Sequence, residues 1–415
     1  MKDLEIVTLD NGLKIYLLND PNKHTTYINL IVNYGGIDNI FYINNKKYVM
    51  RDGLAHFIEH LVLESSIYGD LMENFGKMGI ISNGLTSINR TQFYIDTVDH
   101  IYDSLKVLIK GIHTPVINKD VIENIRKPIL EEKRKSLDNK YSVLYNACLN
   151  SILDNNRYKS ILGELNDIKD INEDIIKIVF NAMYKPNNEI IVIGGRFDRD
   201  IILNTINDAY NSLSFNNDLV TKFKYPHKIT VNKKKSIIKT SSGINRGVVT
   251  IKLNTVNLSG LDKLNLDMFL SFFLKMNFGI TSKLNKELID NKIINGGIVY
   301  SNFVVEGYHY IRIESDTNNV KVFINKIIEY LICKKFEYNN ELFELFKKNT
   351  IINLITRNDS IYDIVDPFID NVVSFDYEGI DKISDVEDTT FDEFKNSINN
   401  LDFTNYNVTI LKDNK

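Results

Sequence analysis

Residues 52–64 read DGLAHFIEHLVLE. Leu54, Phe57, Ile58, Leu61 and Val62 recur at helical spacing, so this stretch is expected to be a helix with one face in a core. His56, Glu59 and His60 stand on it in the order H-x-x-E-H. Positions four apart share one face of a helix, so the two imidazoles can converge on one metal ion. Glu59, three residues after His56, lies on the same side. Neutral imidazoles suit zinc, and a catalytic zinc takes three protein ligands and keeps a fourth position for water. Zinc lowers the pKa of that water toward about 7, and a neighbouring carboxylate can take its proton; Glu59 is placed to be that base. The chain has only seven histidines. At that frequency chance gives on the order of 0.01 such motifs in a chain of this length, so two histidines that merely face a core are the weaker account.

Two histidines leave a zinc site one ligand short. Glu131 and Glu132, in ILEEKRKSLDN (residues 129–139), follow about 70 residues downstream. That is enough chain to cross a strand and a helix and return beside the first helix. Either carboxylate could serve, and both also read as solvated groups beside Lys133 and Arg134. Pro128, four residues before Glu132, removes one backbone hydrogen bond and should kink the helix that carries them. His24, His100, His113, His227 and His309 have no partner at ligand spacing and read as surface or packing residues.

Outward from the motif, Asn11-Gly12 is a turn signal between two strand-like runs, Glu5–Leu9 and Leu13–Leu18. A strand at Thr91–Thr97 leads to a helix at Ile101–Ile112, then a long charged helix from Asn118 to about Leu153. A helix follows Asp167–Ile171, and a strand covers Glu189–Gly194. The same order returns at Tyr308–Ser315, Val320–Ile332, Tyr338 to about Ile355, Phe391–Ile398 after Asp381–Asp385, and Tyr406–Leu411. The offset is about 210–220 residues, which points to duplication of a domain. Strands mixed with helices give an α+β architecture in each half. Asn216, Asn217, Asp218, Pro226 and Lys233–Lys235 mark a linker. The expected domains are therefore 1–215, a linker at 216–236, and 237–415, the last non-catalytic.

The chain has 415 residues, of which 43% are hydrophobic and 25% charged. That composition excludes a disordered chain, a collagen-like chain and a small disulfide scaffold. Fifty Lys and Arg against 54 Asp and Glu leave a formal charge of −4. The basic excess of a general nucleic-acid or anionic-membrane binder is missing. Cys148 and Cys333 lie far apart and form neither an oxidised framework nor a CxxC pair. The start, MKDLEIVTLD, carries acids where an apolar signal core would begin. No apolar run approaches the 18 or so residues needed to span a bilayer. A soluble protein in a reducing cytoplasm is the simplest expectation.

The chain resembles the pitrilysin/insulinase-type zinc metallopeptidases, the inverzincins, and especially their short bacterial and mitochondrial-processing-peptidase-like members. The residues that carry the resemblance run nearly the whole chain: Thr8–Leu13 (TLDNGL), Gly53–His60 (GLAHFIEH), Gly79–Ser87 (GIISNGLTS), the Glu131-Glu132 helix, Ile161-Leu162-Gly163, Tyr184–Asn188 (YKPNN) and the strand ending at Gly194-Gly195. The resemblance implies two homologous α/β-sandwich domains, each an antiparallel-rich sheet covered by helices, forming half of a clamshell chamber. It implies zinc as cofactor, held by His56, His60 and the second Glu of the pair, Glu132, with Glu59 as the catalytic base. Glu131 stays a lesser possibility, because Glu132 follows His60 by 72 positions, slightly fewer than is usual. Asn83 and Gly84 match the family's active-site edge strand, to which an extended peptide substrate adds by main-chain hydrogen bonds.

Two departures stand out. The family often has a second acid seven residues before the metal Glu; here that position is Ile125, with Glu123 nearby. In its second half the family carries an Arg and a Tyr that help hold substrate. Here that region, Leu284–Tyr300, puts Ile289 at the Arg position and displaces Tyr300. In paired members of the family one subunit keeps the metal and its partner keeps the Arg and Tyr. The expectation is a zinc endopeptidase subunit that cleaves short or unfolded peptides in an enclosed chamber. Processing of a peptide precursor is one role the resemblance offers. The expected partner is a related subunit without the zinc motif. The rival is a non-catalytic assembly subunit of the same fold, although such chains usually lose the metal motif that this one keeps.

Overall fold

The computed structural model describes residues 4–153, 158–224, 230–240, 243–380 and 382–413. The chain order begins β1 (Glu5–Thr8), β2 (Lys14–Asn19), β3 (Thr26–Val32), β4 (Ile40–Ile43), β5 (Lys46–Val49), α1 (Leu54–Glu64), α2 (Leu71–Lys77), β6 (Ile81–Thr86), β7 (Thr91–Thr97) and α3 (Ile101–His113). It continues with α4 (Lys119–Asp138), α5 (Lys140–Ile152), α6 (Leu165–Asp170), α7 (Glu173–Met183), β8 (Glu189–Gly195), α8 (Arg199–Asn211) and β9 (Val220–Lys222). Then come β10 (Lys235–Thr240), β11 (Arg246–Lys252), α9 (Gly260–Phe278), α10 (Lys283–Asp290), β12 (Val299–Val305), β13 (Tyr308–Asp316), α11 (Val320–Ile332) and α12 (Asn340–Arg357). The chain ends with α13 (Tyr362–Phe375), α14 (Ile383–Glu387), α15 (Phe391–Asn399) and β14 (Tyr406–Asp413).

The described residues form two compact units. Unit 1 is drawn from Met1–Lys135, Tyr158–Lys224 and Arg357–Ile369, and unit 2 from Ser136–Arg157, Tyr225–Thr356 and Asp370–Lys415. Each is a mixed α+β unit around one main sheet. The first sheet runs β1-β2-β8-β3-β7-β6 and the second β10-β14-β11-β13-β12. The order is the same from β2 and from β10 onward. In both, the one parallel pair is the one that opens this shared order, β2 with β8 and β10 with β14, and the rest is antiparallel. This topological identity is what a duplicated domain leaves behind.

In unit 1 the strands alternate between two faces, as the pleat requires. Ile15, Leu17, Ile28, Leu30, Phe93, Ile95, Ile191 and Ile193 join Leu54, Phe57, Ile58 and Leu61 of α1 and the apolar faces of α3, α4, α7 and α8 in one core. The other face carries Tyr16, Tyr27 and Gly194, which meet Phe368, Tyr362 and Val365 from α13. The Tyr27 hydroxyl donates to Asp366 Oδ1 at 3.1 Å, and that of Tyr362 donates to Asp96. A third, small sheet pairs β4 with β5 and β9.

Two sequence expectations change here. The long second helix expected from 118 to 153 is two helices. Asn139 leaves helical geometry at φ −85° and ψ 104°, and its side chain accepts from the backbone of Tyr141 and Ser142 to cap α5. The expected division into 1–215, 216–236 and 237–415 differs from the units by exchanged segments. α5 belongs to unit 2, where Leu144 and Cys148 pack on Val248 and Leu411. Arg357–Ile369 belongs to unit 1, and the first part of the expected linker supplies β9. Pro226, His227 and Asp381 lie outside the described residues.

Candidate metal centre

α1 starts at Gly53, whose φ of 85° is left-handed and open to glycine without strain. Leu54, Ala55, Phe57, Ile58, Leu61, Val62 and Leu63 are buried on it, which fixes the rotation of the helix. His56 and His60 therefore emerge together on the remaining side, their ring centroids 4.7 Å apart. α4 brings the third group. It runs unbroken through Pro128, and Ile122, Ile125 and Ile129 bury its apolar face in the unit 1 core. Glu132 thereby reaches the histidine pair, with its carboxylate 3.6 Å from His56 Nε2 and 3.9 Å from His60 Nε2.

These three side chains are the group of His, Cys, Asp or Glu that could hold a metal ion among the described residues; one donor atom from each lies within 4.8 Å of the others. A tetrahedral site with bonds near 2.1 Å would separate its donors by about 3.4 Å, close to the two distances above. The donor chemistry also fits. Burial, helped by His60, holds the His56 imidazole down at about 3, so the ring is neutral and its nitrogen free to donate. On His60 burial pulls downward, but the Glu64 hydrogen bond and the Glu59, Glu64 and Glu132 charges carry it above its ordinary value.

Glu59 points to the β6 side of the helix. Thr86 Oγ1 donates to Glu59 Oε2 at 2.5 Å, and both residues are buried. Burial pushes the Glu59 carboxyl above the usual carboxylate range, with the Thr86 bond opposing. Gly84 makes room for it: a Cβ there would lie 2.7 Å from Glu59 Oε1 and 2.7 Å from Leu63 Cδ1. Asn83 is exposed beside it, and its side chain accepts from the Gly84 N–H at 2.9 Å. β6 pairs only with β7, so its outer edge carries backbone donors and acceptors with no strand partner among the described residues.

Several residues are placed away from the centre. Glu131 turns to Arg134 on the exposed side of α4, leaving Glu132 as the residue that joins the histidines. Glu123 pairs with Arg126 at 3.2 Å. Ile125 is 2% exposed in the core and supplies no second acid. Ile289, on α10, and Tyr300, on β12, both belong to unit 2. Sequence reasoning gave no role to Thr86 or Glu64. Glu64 had a readable signal, since it stands four residues after His60 on the same helix. Thr86 stood only as part of GIISNGLTS, and nothing local pointed to its contact, because its partner is 27 positions away.

The first part of the chain, residues 14–164, matches the family model described as Insulinase (Peptidase family M16), and residues 170–349 match the model described as Peptidase M16 inactive domain. The chain belongs to the pitrilysin/insulinase-type family of peptidases. It is 23% identical over 394 residues to YmfH, an uncharacterized zinc protease of Bacillus subtilis (strain 168), covering 94% of this chain and 92% of that one. A crystal structure of an M16-like peptidase from Alicyclobacillus acidocaldarius matches with a TM-score of 0.87 at 19% identity, covering 99% of this chain and 98% of the other. A protease from Helicobacter pylori matches with a TM-score of 0.81 at 20% identity, covering 99% of both. These two likenesses carry the fold. No helix among the described residues is long and apolar enough to cross a membrane.

Proposed function

We propose that this chain is a zinc-dependent endopeptidase subunit acting on peptides. The observation that carries the reading is the convergence of His56, His60 and Glu132 from two helices, with a buried carboxylate, Glu59, beside them. The zinc-protease name of the Bacillus relative supports it. Bound zinc would polarise both the attacking water and the scissile carbonyl. Glu59 takes the proton of the attacking water on Oε1, the oxygen not held by Thr86, and returns it to the leaving amine. An extended peptide adds to the free edge of β6 at Asn83 and Gly84, which reads backbone and depends little on sequence.

The finer reading keeps an enclosed chamber, short or unfolded peptides as substrates and peptide-precursor processing as the role. The partner is a related subunit without H-x-x-E-H, supported by Ile289 at the family's Arg position. Scarcity of cysteine supports the cytoplasm. Isolation of an active, self-sufficient homodimer would remove the heterodimer. The central test is Glu59→Gln, with zinc content and cleavage of a quenched fluorescent peptide measured in the presence of its partner. Zinc should stay and cleavage should fall by about 10²–10⁴-fold. Zinc retained with unchanged cleavage refutes the mechanism. Zinc and cleavage absent from the wild type favour the non-catalytic assembly subunit.

A further inference from the structure

The two histidines of α1 are not held alike. His60 Nδ1 lies 2.7 Å from Glu64 Oε1. His56 Nδ1 is buried and has no hydrogen-bond partner among the described residues. On the opposite side of both rings, the Nε2 atoms face Glu132. The metal-capable group therefore uses one side of His60, and Glu64 occupies the other without belonging to that group.

The contact has a directional consequence. A carboxylate only accepts hydrogen bonds, so the His60 ring must carry a proton on Nδ1 to make it. In the neutral ring this leaves the lone pair on Nε2, the atom that faces Glu132. The backbone between the two partners is held, although the Glu64 side chain itself is exposed. Leu61, Val62 and Leu63, between the two partners, are all buried, so the turn that sets their spacing cannot rotate away. Neither position on α4 that could have supplied an outer acid does so: Ile125 is in the core and Glu123 is engaged by Arg126.

We propose that Glu64 is a positioning residue that fixes the tautomer and ring angle of His60 through Nδ1, a hold that His56 Nδ1 lacks among the described residues. This rests on the reading of His56, His60 and Glu132 as a metal site. Such outer carboxylates orient a ligand ring and raise its basicity, and their loss weakens metal binding by about 10–100-fold.

The test compares wild type, Glu64→Gln and Glu64→Leu. Zinc affinity is measured by competition with a chromophoric chelator. The tautomer of each histidine is read by nitrogen-15 NMR on the metal-free protein at a pH where the rings are neutral, with thermal melting as the check on folding. Expected is an Nδ1-protonated His60 in the wild type, a shift toward the Nε2-protonated form in Glu64→Leu, and zinc affinity lower by about 10–100-fold. Glu64→Gln, which keeps an accepting oxygen, should fall between. If the wild type binds zinc and Glu64→Leu matches it in affinity and tautomer, the proposal is wrong. If the wild type takes up no zinc, the metal reading falls, and the tautomer comparison decides the Glu64 contact by itself.

Discussion

Gly53→Ala should damage the start of the motif helix far more than an equivalent change elsewhere. Gly53 sits at φ 85° as the N-cap of α1. A Cβ there would run into the Leu162 carbonyl, with the Leu162 carbonyl carbon at 2.7 Å and Gly163 Cα at 2.8 Å. Carbon atoms normally sit about 3.5–4.0 Å apart, so backbone must retreat by roughly 1 Å. Gly163 is the reciprocal partner, since a Cβ on it would meet the Asp52 carbonyl and lie 3.0 Å from Gly53 Cα. Gly69 is the control: its φ is 78°, yet nothing lies within 4 Å of its Cβ position. Alanine at 69 incurs only left-handed strain, about 1–2 kcal/mol. Alanine at 53 adds a backbone clash of about 1–3 kcal/mol. For units of this size the melting loss is about 2–4 °C per kcal/mol, so Gly53→Ala should melt about 2–12 °C below Gly69→Ala. Calorimetry of both variants without metal measures the gap. Coincident melting points would refute the idea that the 52–53 and 162–163 backbones are locked together.

Asp52 gives a pH prediction. Burial pushes its carboxyl up to about 7, with Lys159 opposing. The folded state therefore binds this proton more tightly than the unfolded one, whose carboxyl titrates near 4, so stability falls as pH rises from about 4 to about 7. Three units correspond to at most about 4 kcal/mol. Asp52→Asn, which keeps an oxygen for Asn39, should raise stability at pH 8 and change it little at pH 4, as read by urea denaturation; equal effects at both pH values would sink the assignment. A fragment ending at residue 224 lacks Arg357–Ile369 and leaves Tyr16 and Tyr27 uncovered. It should bind a hydrophobic dye and melt without cooperativity, and a sharp two-state melt would contradict the exchanged-segment packing.

What the sequence disclosed follows the range of the forces involved. The motif helix was legible because helical spacing is local: seven buried apolar positions on α1 fix its rotation and hence the direction of His56 and His60. The choice between Glu131 and Glu132 was not decided by spacing, since it depends on the rotation of α4, set by Ile122, Ile125 and Ile129 in a distant core. Duplication was legible as element order and stands as strand order, down to the matching parallel pairs. The helix exchange was not legible. α5 and α13 have apolar faces, and an apolar face specifies burial without specifying which of two similar sheets provides it. The break at Asn139 did carry a signal, an Asx side chain ahead of Tyr141 and Ser142, which a continuous charge pattern hid.

The two sheets also separate the shared scaffold from the candidate site. In unit 1 the first helix between β3 and the edge strand β6 is α1; in unit 2 the first helix at the same point, between β11 and the edge strand β12, is α9. α9 buries Phe269, Leu270, Phe272, Phe273, Leu274, Met276 and Phe278 and contains no histidine or cysteine. The same topology therefore stands with a helix devoted to packing. What distinguishes unit 1 is a small set of side chains laid over the shared plan: His56 and His60 on α1, Glu132 reaching in from α4, and Glu59 held by Thr86 where glycine at 84 leaves it room. Apolar burial elsewhere on α1 carries the helix, so its packing does not depend on these polar residues, which leaves them available for the proposed ligation and proton transfer.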